Sequence, residues 1–302
     1  MVNRPETAAD ALRRACQLLS GPDDNTEAGR ARVMLEASEL VCAVTGKSRA
    51  ALLAYPDAPV DTERLNALLA RRCSGEPLAY VLGQWDFYGY TFAVDRRVLI
   101  PRDDSETVLE AFLDALPASG PLKLLDLCTG SGCLGIAAVL ELAKKRIAAE
   151  AVLADLSGDA LAVAAQNASS HGLTGRVRTA PCDAFHPETL AQTFDGCICN
   201  PPYIRRGELQ LLDRSVADFE PAMALDGGSD GLDFYRALAV SLRGLLNAGA
   251  PLTFEVGYDQ AGDVADLLRA SGWTGVTVRP DLQGIMRAVT GFRSRDHCVS
   301  AK

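Results

Sequence analysis

The chain has 302 residues, of which 48% are hydrophobic and 23% charged, a composition typical of a globular protein with one large or two smaller domains. Its apolar segments are too short to span a bilayer and its first residues lack the apolar core of a signal peptide, so we expect a cytoplasmic protein without membrane contact. The chain has three histidines and nine scattered cysteines, which disfavours a zinc or other metal site and fits reduced thiols. The net charge of −9 disfavours nucleic acid as a direct partner, because proteins that bind nucleic acid usually present a basic surface.

The N-terminal quarter of the chain is predicted to be helical. Residues 6–74 carry apolar side chains at the three- and four-residue spacing of amphipathic helices. Thr26 and Asp61 are predicted N-caps, and Gly46 is a predicted helix end. We assign residues 1–75 to a small all-helical domain, which is better suited to recognition than to catalysis.

The next segment changes in composition. Residues 76–105 are rich in aromatic and β-branched residues around Gly89, a pattern typical of a β-hairpin. We expect this hairpin to act as a hinge between the helical domain and residues 106–302.

From residue 121 onward, short apolar runs alternate with stretches of helical periodicity. This alternation predicts an α/β domain with a doubly wound, largely parallel sheet. The predicted strands are residues 122–127, 151–155, 176–180, 194–199, 251–257 and 285–290. The predicted helices are residues 133–145, 158–170, 231–247 and 258–271. Ligands of such sheets bind at the carboxyl ends of the strands, where two distinctive segments follow.

The first of these segments is LDLCTGSGCLG, residues 125–135, which has the glycine spacing G-x-G-x-x-G. With Asp155 at the end of the next strand, it matches the pattern of a nucleoside-cofactor site. Asp126 helps to distinguish the cofactors, because a carboxylate at the strand end would repel a pyrophosphate. It would attract the sulfonium and ammonium groups of S-adenosylmethionine. The alternative is that the glycines only form a tight turn.

The second segment is CICNPPYI, residues 197–204, which ends the fourth predicted strand. Asn200 and Pro201 each precede a proline and are therefore held in extended backbone, and the φ angle of Pro202 is fixed. The segment should be stiff and should present one amide, an unpaired carbonyl at Pro201 and the ring of Tyr203. An Asn-Pro pair also commonly starts a simple turn.

Five collinear segments between about residues 73 and 292 resemble the bacterial release factor glutamine methyltransferases, the HemK/PrmC family. They are GEPLAYVLGQWDFYGYTFAVDRRVLIPR, LLDLCTGSGCLGIA, FDGCICNPPYI, FEPAMALDGGSDGLDFYRAL and LTFEVGYDQ. The resemblance implies an N-terminal helical domain, a β-hairpin hinge and a Rossmann-like class I methyltransferase domain. It also implies S-adenosylmethionine as cofactor, S-adenosylhomocysteine as product, and N5-methylation of the glutamine in the Gly-Gly-Gln motif of peptide chain release factors.

The resemblance further implies roles for individual residues, matched motif by motif. The loop from Cys128 to Gly132 would line the methionine part of the cofactor, Asp155 would hold the ribose hydroxyls, and Asp183 with Ala184 would lie beside the adenine. The complete set of implied cofactor-binding residues is Asp126, Cys128, Thr129, Gly130, Ser131, Gly132, Asp155, Asp183, Ala184 and Asn200. The substrate amide would be received by Asn200, Pro201, Pro202 and Tyr203, with Asn200, Pro201 and Tyr203 as the catalytic residues.

An amide nitrogen is a poor nucleophile and must be held in a fixed orientation to react. The Asn-Pro-Pro-Tyr segment has the groups to hold it. The side-chain oxygen of Asn200 and the carbonyl of Pro201 can accept both amide hydrogens, and Tyr203 can pack over the amide plane. Adenine N6 is also a planar conjugated amine, so a nucleic-acid methyltransferase is an alternative. Methylation of a ribosomal-protein glutamine and a non-catalytic binding module are the others.

The chain departs from the family pattern at two places. Cys128 stands where the family usually has glycine, so we expect the backbone there to do without the freedom of positive φ. The family's PRPETE is PRDDSE at residues 101–106, where Asp103, Asp104 and Ser105 differ. This second departure bears on the hinge contacts and on the choice of protein substrate.

Overall fold

The computed structural model describes residues 6–295, apart from the side chain of Asp23, and divides the chain into two units. The helical unit runs to Gly83 and includes Arg214–Phe219, and the second unit comprises Gln84–Asp213 and the chain from Glu220 onward. His297 and the predicted domain end at residue 302 lie outside the described residues. Within residues 6–295, no helix combines the length and apolarity needed to cross a membrane.

The helices are α1 (Ala8–Leu19), α2 (Glu27–Thr45), α3 (Arg49–Ala54), α4 (Thr62–Cys73), α5 (Leu78–Leu82), α6 (Asp104–Ala115), α7 (Cys133–Lys144), α8 (Gly158–Ser170), α9 (Arg214–Ala217), α10 (Asp233–Ser241) and α11 (Ala261–Ala270). The strands are β1 (Gln84–Phe87), β2 (Tyr90–Ala93), β3 (Leu122–Leu127), β4 (Ala149–Asp155), β5 (Val177–Pro181), β6 (Gly196–Cys199), β7 (Pro251–Glu255), β8 (Trp273–Pro280) and β9 (Met286–Arg293).

Two N-caps and one helix end of the helical unit lie at the predicted residues. The Thr26 hydroxyl accepts the Gly29 N–H at 3.0 Å, and the Asp61 carboxylate accepts the Arg64 N–H at 3.0 Å, so both predicted N-caps are confirmed. Gly46 ends α2 with a φ of 66°, as a left-handed C-cap does.

The helical unit ends later than residue 75, the predicted boundary. Helix α5 follows that residue, and its Val81 is 3% exposed and packs in the core of the helical unit. The Arg71 guanidinium donates to the carbonyls of Tyr80 at 2.8 Å and Val81 at 3.2 Å, which fixes α5 beside α4. The aromatic and β-branched composition of this segment predicted a hairpin from residue 76, but its first residues form a single helical turn. The hairpin β1–β2 starts only at Gln84.

The second unit contains a seven-stranded sheet in the order β5-β4-β3-β6-β7-β9-β8, parallel except for β9, which is antiparallel to both of its neighbours. Side chains of α6, α7 and α8 pack on one face, and side chains of α10 and α11 pack on the other. The predicted α/β class with a doubly wound sheet is therefore confirmed. Strand β8 and helix α6 were not predicted.

The register of the central strands brings the predicted site segments to one edge. Leu127 of β3 is level with Ala154 of β4 and with Cys199 of β6. The chain therefore leaves all three strands at the same height. The glycine loop, Asp155 and Asn200 follow these three strand ends directly.

Candidate active site

The carboxyl ends of the central strands open into a cavity of about 420 Å³, a size typical of small-molecule sites. Nine of the predicted site residues line it: Cys128, Thr129, Gly130, Ser131, Asp155, Asp183, Ala184, Asn200 and Pro202. The other four predicted site residues do not line it: Asp126, Gly132, Pro201 and Tyr203.

The glycine loop is shaped by close contacts with the sheet. A β-carbon on Gly132, whose φ is 83°, would lie 3.0 Å from the side chain of Leu153 on β4. A β-carbon on Gly135 would lie 2.5 Å from that leucine and 2.8 Å from the β-carbon of Asp126. The second and third glycines of the motif therefore let α7 start directly against β3 and β4.

Asp126 holds this loop from behind. Its side chain is buried, with 1% exposure, and one oxygen accepts the Thr129 hydroxyl at 2.6 Å and the Gly135 N–H at 2.8 Å. The other oxygen, also buried, has no hydrogen-bond partner among the described residues. Burial raises the pKa of Asp126 to about 7. From the sequence we expect this carboxylate to attract a cationic cofactor directly. In the structure Asp126 instead shapes the loop that lines the cavity, so its effect on a ligand would be indirect.

Cys128 adopts a φ of 58°, in the left-handed region that glycine favours. The expectation that the backbone here would do without a positive φ is wrong, because Cys128 itself adopts one. The strain of such a conformation is about 1–2 kcal/mol for a residue with a β-carbon. The loop is held directly after Cys128, since Thr129 N–H donates to the Ala154 carbonyl at 3.1 Å.

Asp155 stands at the end of β4 and faces the cavity. Its two oxygens accept the N–H groups of Gly130 and Ser157, both at 2.9 Å. Each carboxylate oxygen has a second lone pair, so Asp155 remains able to accept ligand hydroxyls. The two backbone bonds fix the orientation of the carboxylate in advance.

Part of the cavity wall is aromatic. Asp183 accepts the Phe185 N–H at 2.9 Å, and the ring of Phe185 packs on that of Phe234 with centroids 4.7 Å apart. Both rings line the cavity beside Ala184, and neither phenylalanine was predicted as a site residue. Phe185 directly follows the predicted Asp183–Ala184 pair, so its position was the available signal. An apolar, aromatic wall of this kind suits a flat heterocycle.

Asn200 lies half-buried on the cavity wall, and within residues 6–295 no protein group hydrogen-bonds to its side chain. Pro201 and Pro202 are buried, and in the same part of the chain no donor reaches the Pro201 carbonyl. Neither of the two acceptors predicted for a substrate amide therefore has a protein partner within residues 6–295, and of the two residues Asn200 lines the cavity.

The backbone after the prolines is held by a neighbouring segment. Ile204 N–H donates to the Leu225 carbonyl at 3.0 Å, and Gly227 N–H donates to the Ile204 carbonyl at 2.9 Å. A β-carbon on Gly227 would lie 2.6 Å from the α-carbon of Tyr203. Only glycine permits this approach, so the segment around Gly227 fixes the path of the Asn-Pro-Pro-Tyr backbone.

The PRDDSE segment makes its contacts inside the second unit. Arg102, on the cavity wall, pairs with the buried carboxylate of Glu220, and Glu106 accepts the Tyr88 N–H at 2.8 Å. The differing residues are also engaged: Asp104 pairs with Arg287 at 2.9 Å, and the Ser105 hydroxyl donates to Glu255.

The sheet order, the glycine loop after β3, the acid at the end of β4 and the cavity between them define a class I, S-adenosylmethionine-dependent methyltransferase. The model of the PrmC N-terminal domain matches residues 10–83, and the model of the methyltransferase small domain matches residues 103–224. The chain belongs to the family of release factor glutamine methyltransferases, as its curated relatives establish.

One relative is the release factor glutamine methyltransferase of Geobacter sulfurreducens, 39% identical over 88% of this chain and 91% of its own length. Another is that of Cereibacter sphaeroides, 36% identical over 98% of both chains. Among solved structures, the hMettl16 catalytic domain in complex with MAT2A 3′UTR hairpin 6 aligns with a TM-score of 0.54 at 15% identity, covering 76% of this chain and 83% of that one. At this identity the last similarity concerns the fold alone.

Proposed function

We propose that the protein transfers a methyl group from S-adenosylmethionine to the side-chain amide nitrogen of the glutamine in the Gly-Gly-Gln motif of peptide chain release factors. Family membership supports the acceptor. One structural observation carries the chemistry: the unpaired amide of Asn200 lies on the wall of the same cavity as the glycine loop and Asp155. Cofactor and amide would therefore meet in one enclosed space.

The residues on the cavity wall fit the proposed cofactor from end to end. The loop from Cys128 to Gly132 would hold the methionine part, Asp155 would accept the ribose hydroxyls, and Asp183 with Ala184 would border the adenine. Phe185 and Phe234 would form an apolar wall beside the base. The cofactor supplies a methyl group that already carries its leaving group, so the protein needs no strong general base.

The Asn-Pro-Pro-Tyr segment would act as an amide clamp, a name we use for Asn200–Tyr203. The Asn200 side-chain oxygen and the Pro201 carbonyl would accept the two amide hydrogens and stabilise positive charge that develops on nitrogen. The proton released afterwards can pass to water, because a nitrogen-alkylated amide cation is a strong acid. Holding nitrogen in line with the methyl group is an orientation effect that can contribute ~7–11 kcal/mol.

The helical unit would contribute to docking the protein substrate, as expected for residues 1–75. A release factor acceptor would also place the enzyme in the cytoplasm. The acidic net charge of −9 agrees with a protein partner rather than nucleic acid.

The test is transfer of tritium from labelled S-adenosylmethionine to four acceptors: a release factor, the same factor with the motif glutamine replaced by alanine, ribosomal proteins, and nucleic acid. We expect label only in the intact release factor. Label in ribosomal protein or in adenine would identify one of the alternative acceptors, and equal labelling of the alanine-substituted factor would refute the motif glutamine as the target.

A further inference from the structure

The segment LTFEVGYDQ, residues 252–260, is a family-like motif that the site described above does not use. It contains three buried polar side chains, of which Thr253 pairs with the Thr290 hydroxyl on the neighbouring strand. The other two are Glu255 with 1% exposure and Gln260 with 2% exposure, and neither lines the cavity. Burying such groups costs free energy unless they are hydrogen-bonded. The hydrogen-bond partners of Glu255 and Gln260 therefore indicate the role of these two side chains.

Gln260 binds the backbone of the amide clamp. Its Nε2 donates to the Tyr203 carbonyl at 2.9 Å and to the Gly231 carbonyl at 3.3 Å, and its Oε1 accepts the Gly257 N–H at 3.0 Å. One buried amide thus joins the clamp to two glycine-rich turns.

Both turns are shaped to admit this side chain. A β-carbon on Gly231, whose φ is 78°, would lie 2.4 Å from both Gln260 Nε2 and the Tyr203 carbonyl oxygen. A β-carbon on Gly257 would lie 2.8 Å from Gln260 Oε1. Neither position can carry a side chain while Gln260 reaches the clamp.

Glu255 binds the other end of Tyr203. Its Oε1 accepts the Tyr203 hydroxyl at 3.3 Å, and its Oε2 accepts the Ser105 hydroxyl. Burial raises the pKa of the Glu255 carboxyl, while the Ser105 hydrogen bond and the charge of Arg287 favour its ionised form. The tyrosine is therefore held at its carbonyl by Gln260 and at its hydroxyl by Glu255.

We propose that Glu255 and Gln260 are positioning residues for the amide clamp and act through Tyr203. The two prolines limit the backbone between Asn200 and Tyr203, so fixing Tyr203 also fixes the direction of the Pro201 carbonyl. The same contacts set the plane of the tyrosine ring that would pack over the substrate amide. This inference rests on the proposed function for its activity readout, and on the geometry of Tyr203 for a second readout.

The activity test compares Glu255→Gln, Gln260→Glu and Tyr203→Phe in single-turnover methylation of the release factor with saturating cofactor. Each substitution preserves shape and alters a polar contact of Tyr203, and Gln260→Glu also alters the contact with the Gly231 carbonyl. Each rate should therefore fall about tenfold while the cofactor Kd stays within about twofold. The double variant Glu255→Gln/Tyr203→Phe should be no slower than the slower single variant, because Glu255 acts through the hydroxyl. The matched control is Gln283→Ala, which changes an exposed glutamine on the β8–β9 turn and should leave the rate unchanged.

Multiplicative losses in the double variant, or rates within twofold of wild type for both Glu255→Gln and Gln260→Glu, would overturn the inference. A wild-type enzyme that does not label the release factor would instead refute the proposed function. The second readout needs no acceptor and is ¹⁹F NMR of protein labelled with 3-fluorotyrosine. The Tyr203 signal is assigned as the one that is absent from the spectrum of Tyr203→Phe. That signal should shift or broaden in Glu255→Gln and Gln260→Glu, and an unchanged signal in both would overturn the inference independently.

Discussion

Replacing Asn200 by alanine should abolish most methyl transfer without unfolding the protein. The Asn200 side chain is half-buried and makes no hydrogen bond within the described part of the protein, so its removal leaves no protein group unpaired. The free energy of unfolding should change by less than about 0.5 kcal/mol, as for substitutions without structural contacts. Cofactor affinity should also change little, because ribose and adenine would be held elsewhere in the cavity.

The loss in kcat should be large because one of the two acceptors that orient the attacking nitrogen is removed. Loss of a preorganised polar contact to a reacting group typically costs ~10²–10³ in kcat, or about 2.7–4 kcal/mol. Asn200→Asp separates charge from geometry, since it keeps an acceptor but adds an anion near the sulfonium. That anion would stabilise the cationic ground state, so we expect only partial recovery of the rate.

Single-turnover methylation with saturating cofactor measures the rate, and calorimetry measures the cofactor Kd of each variant. If Asn200→Ala transfers methyl groups within a few-fold of wild type, the Asn-Pro-Pro-Tyr segment is only a rigid turn. If its cofactor affinity falls as strongly as its rate, the amide serves the cofactor rather than the acceptor. Either result would refute the clamp.

Three further outcomes follow from the same geometry. Asp155→Ala should weaken S-adenosylmethionine binding by roughly 1.5–3 kcal/mol in calorimetry, since a charged acceptor is lost, and tight NAD binding by the wild-type protein would contradict the cofactor assignment. A chain beginning at residue 84 should still bind cofactor but show a lower kcat/KM on intact release factor, and undiminished efficiency would show that the helical unit has no role in docking. Burial raises the Asp126 pKa to about 7, whereas the unfolded chain releases this proton above about pH 4. Between these pH values the folded chain still holds the proton, so the stability contributed by this group falls as pH rises towards 7. The free energy of unfolding of Asp126→Asn should therefore rise by about 2–3 kcal/mol relative to that of wild type between pH 5 and pH 8, as measured by urea unfolding. If the difference between the two free energies stays constant over this range, Asp126 stays ionised in the folded protein.

The elements predicted best from sequence were those whose burial is uniform. Strand β3 has the predicted bounds because its apolar run is buried by helices on both faces of the sheet. Strand β8 was missed because most of its residues are exposed or half-exposed at the sheet edge and their pattern is irregular around Gly275. Helix α5 was missed because a single turn is too short to show helical periodicity.

Site residues were predictable where they follow a strand end within a motif. Contacts between distant segments left no local pattern, and for this reason Phe234 on the cavity wall was not predicted. Asp126 shows a different limit. Its position at the strand end was predicted, but only the structure shows that its carboxylate binds Gly135 and Thr129 and does not line the cavity.

The cysteine in the glycine loop gives this enzyme a chemical handle that a glycine would not provide. Cys128 is half-buried on the cavity wall, whereas Cys133 and Cys182, which also line the cavity, are buried. A small alkylating reagent that enters the cavity would reach its sulfur, and a bound cofactor would shield it. The rate of Cys128 alkylation, followed by peptide mass spectrometry, would therefore report cofactor occupancy directly and would offer a covalent anchor point for inhibitors selective for chains that carry this residue.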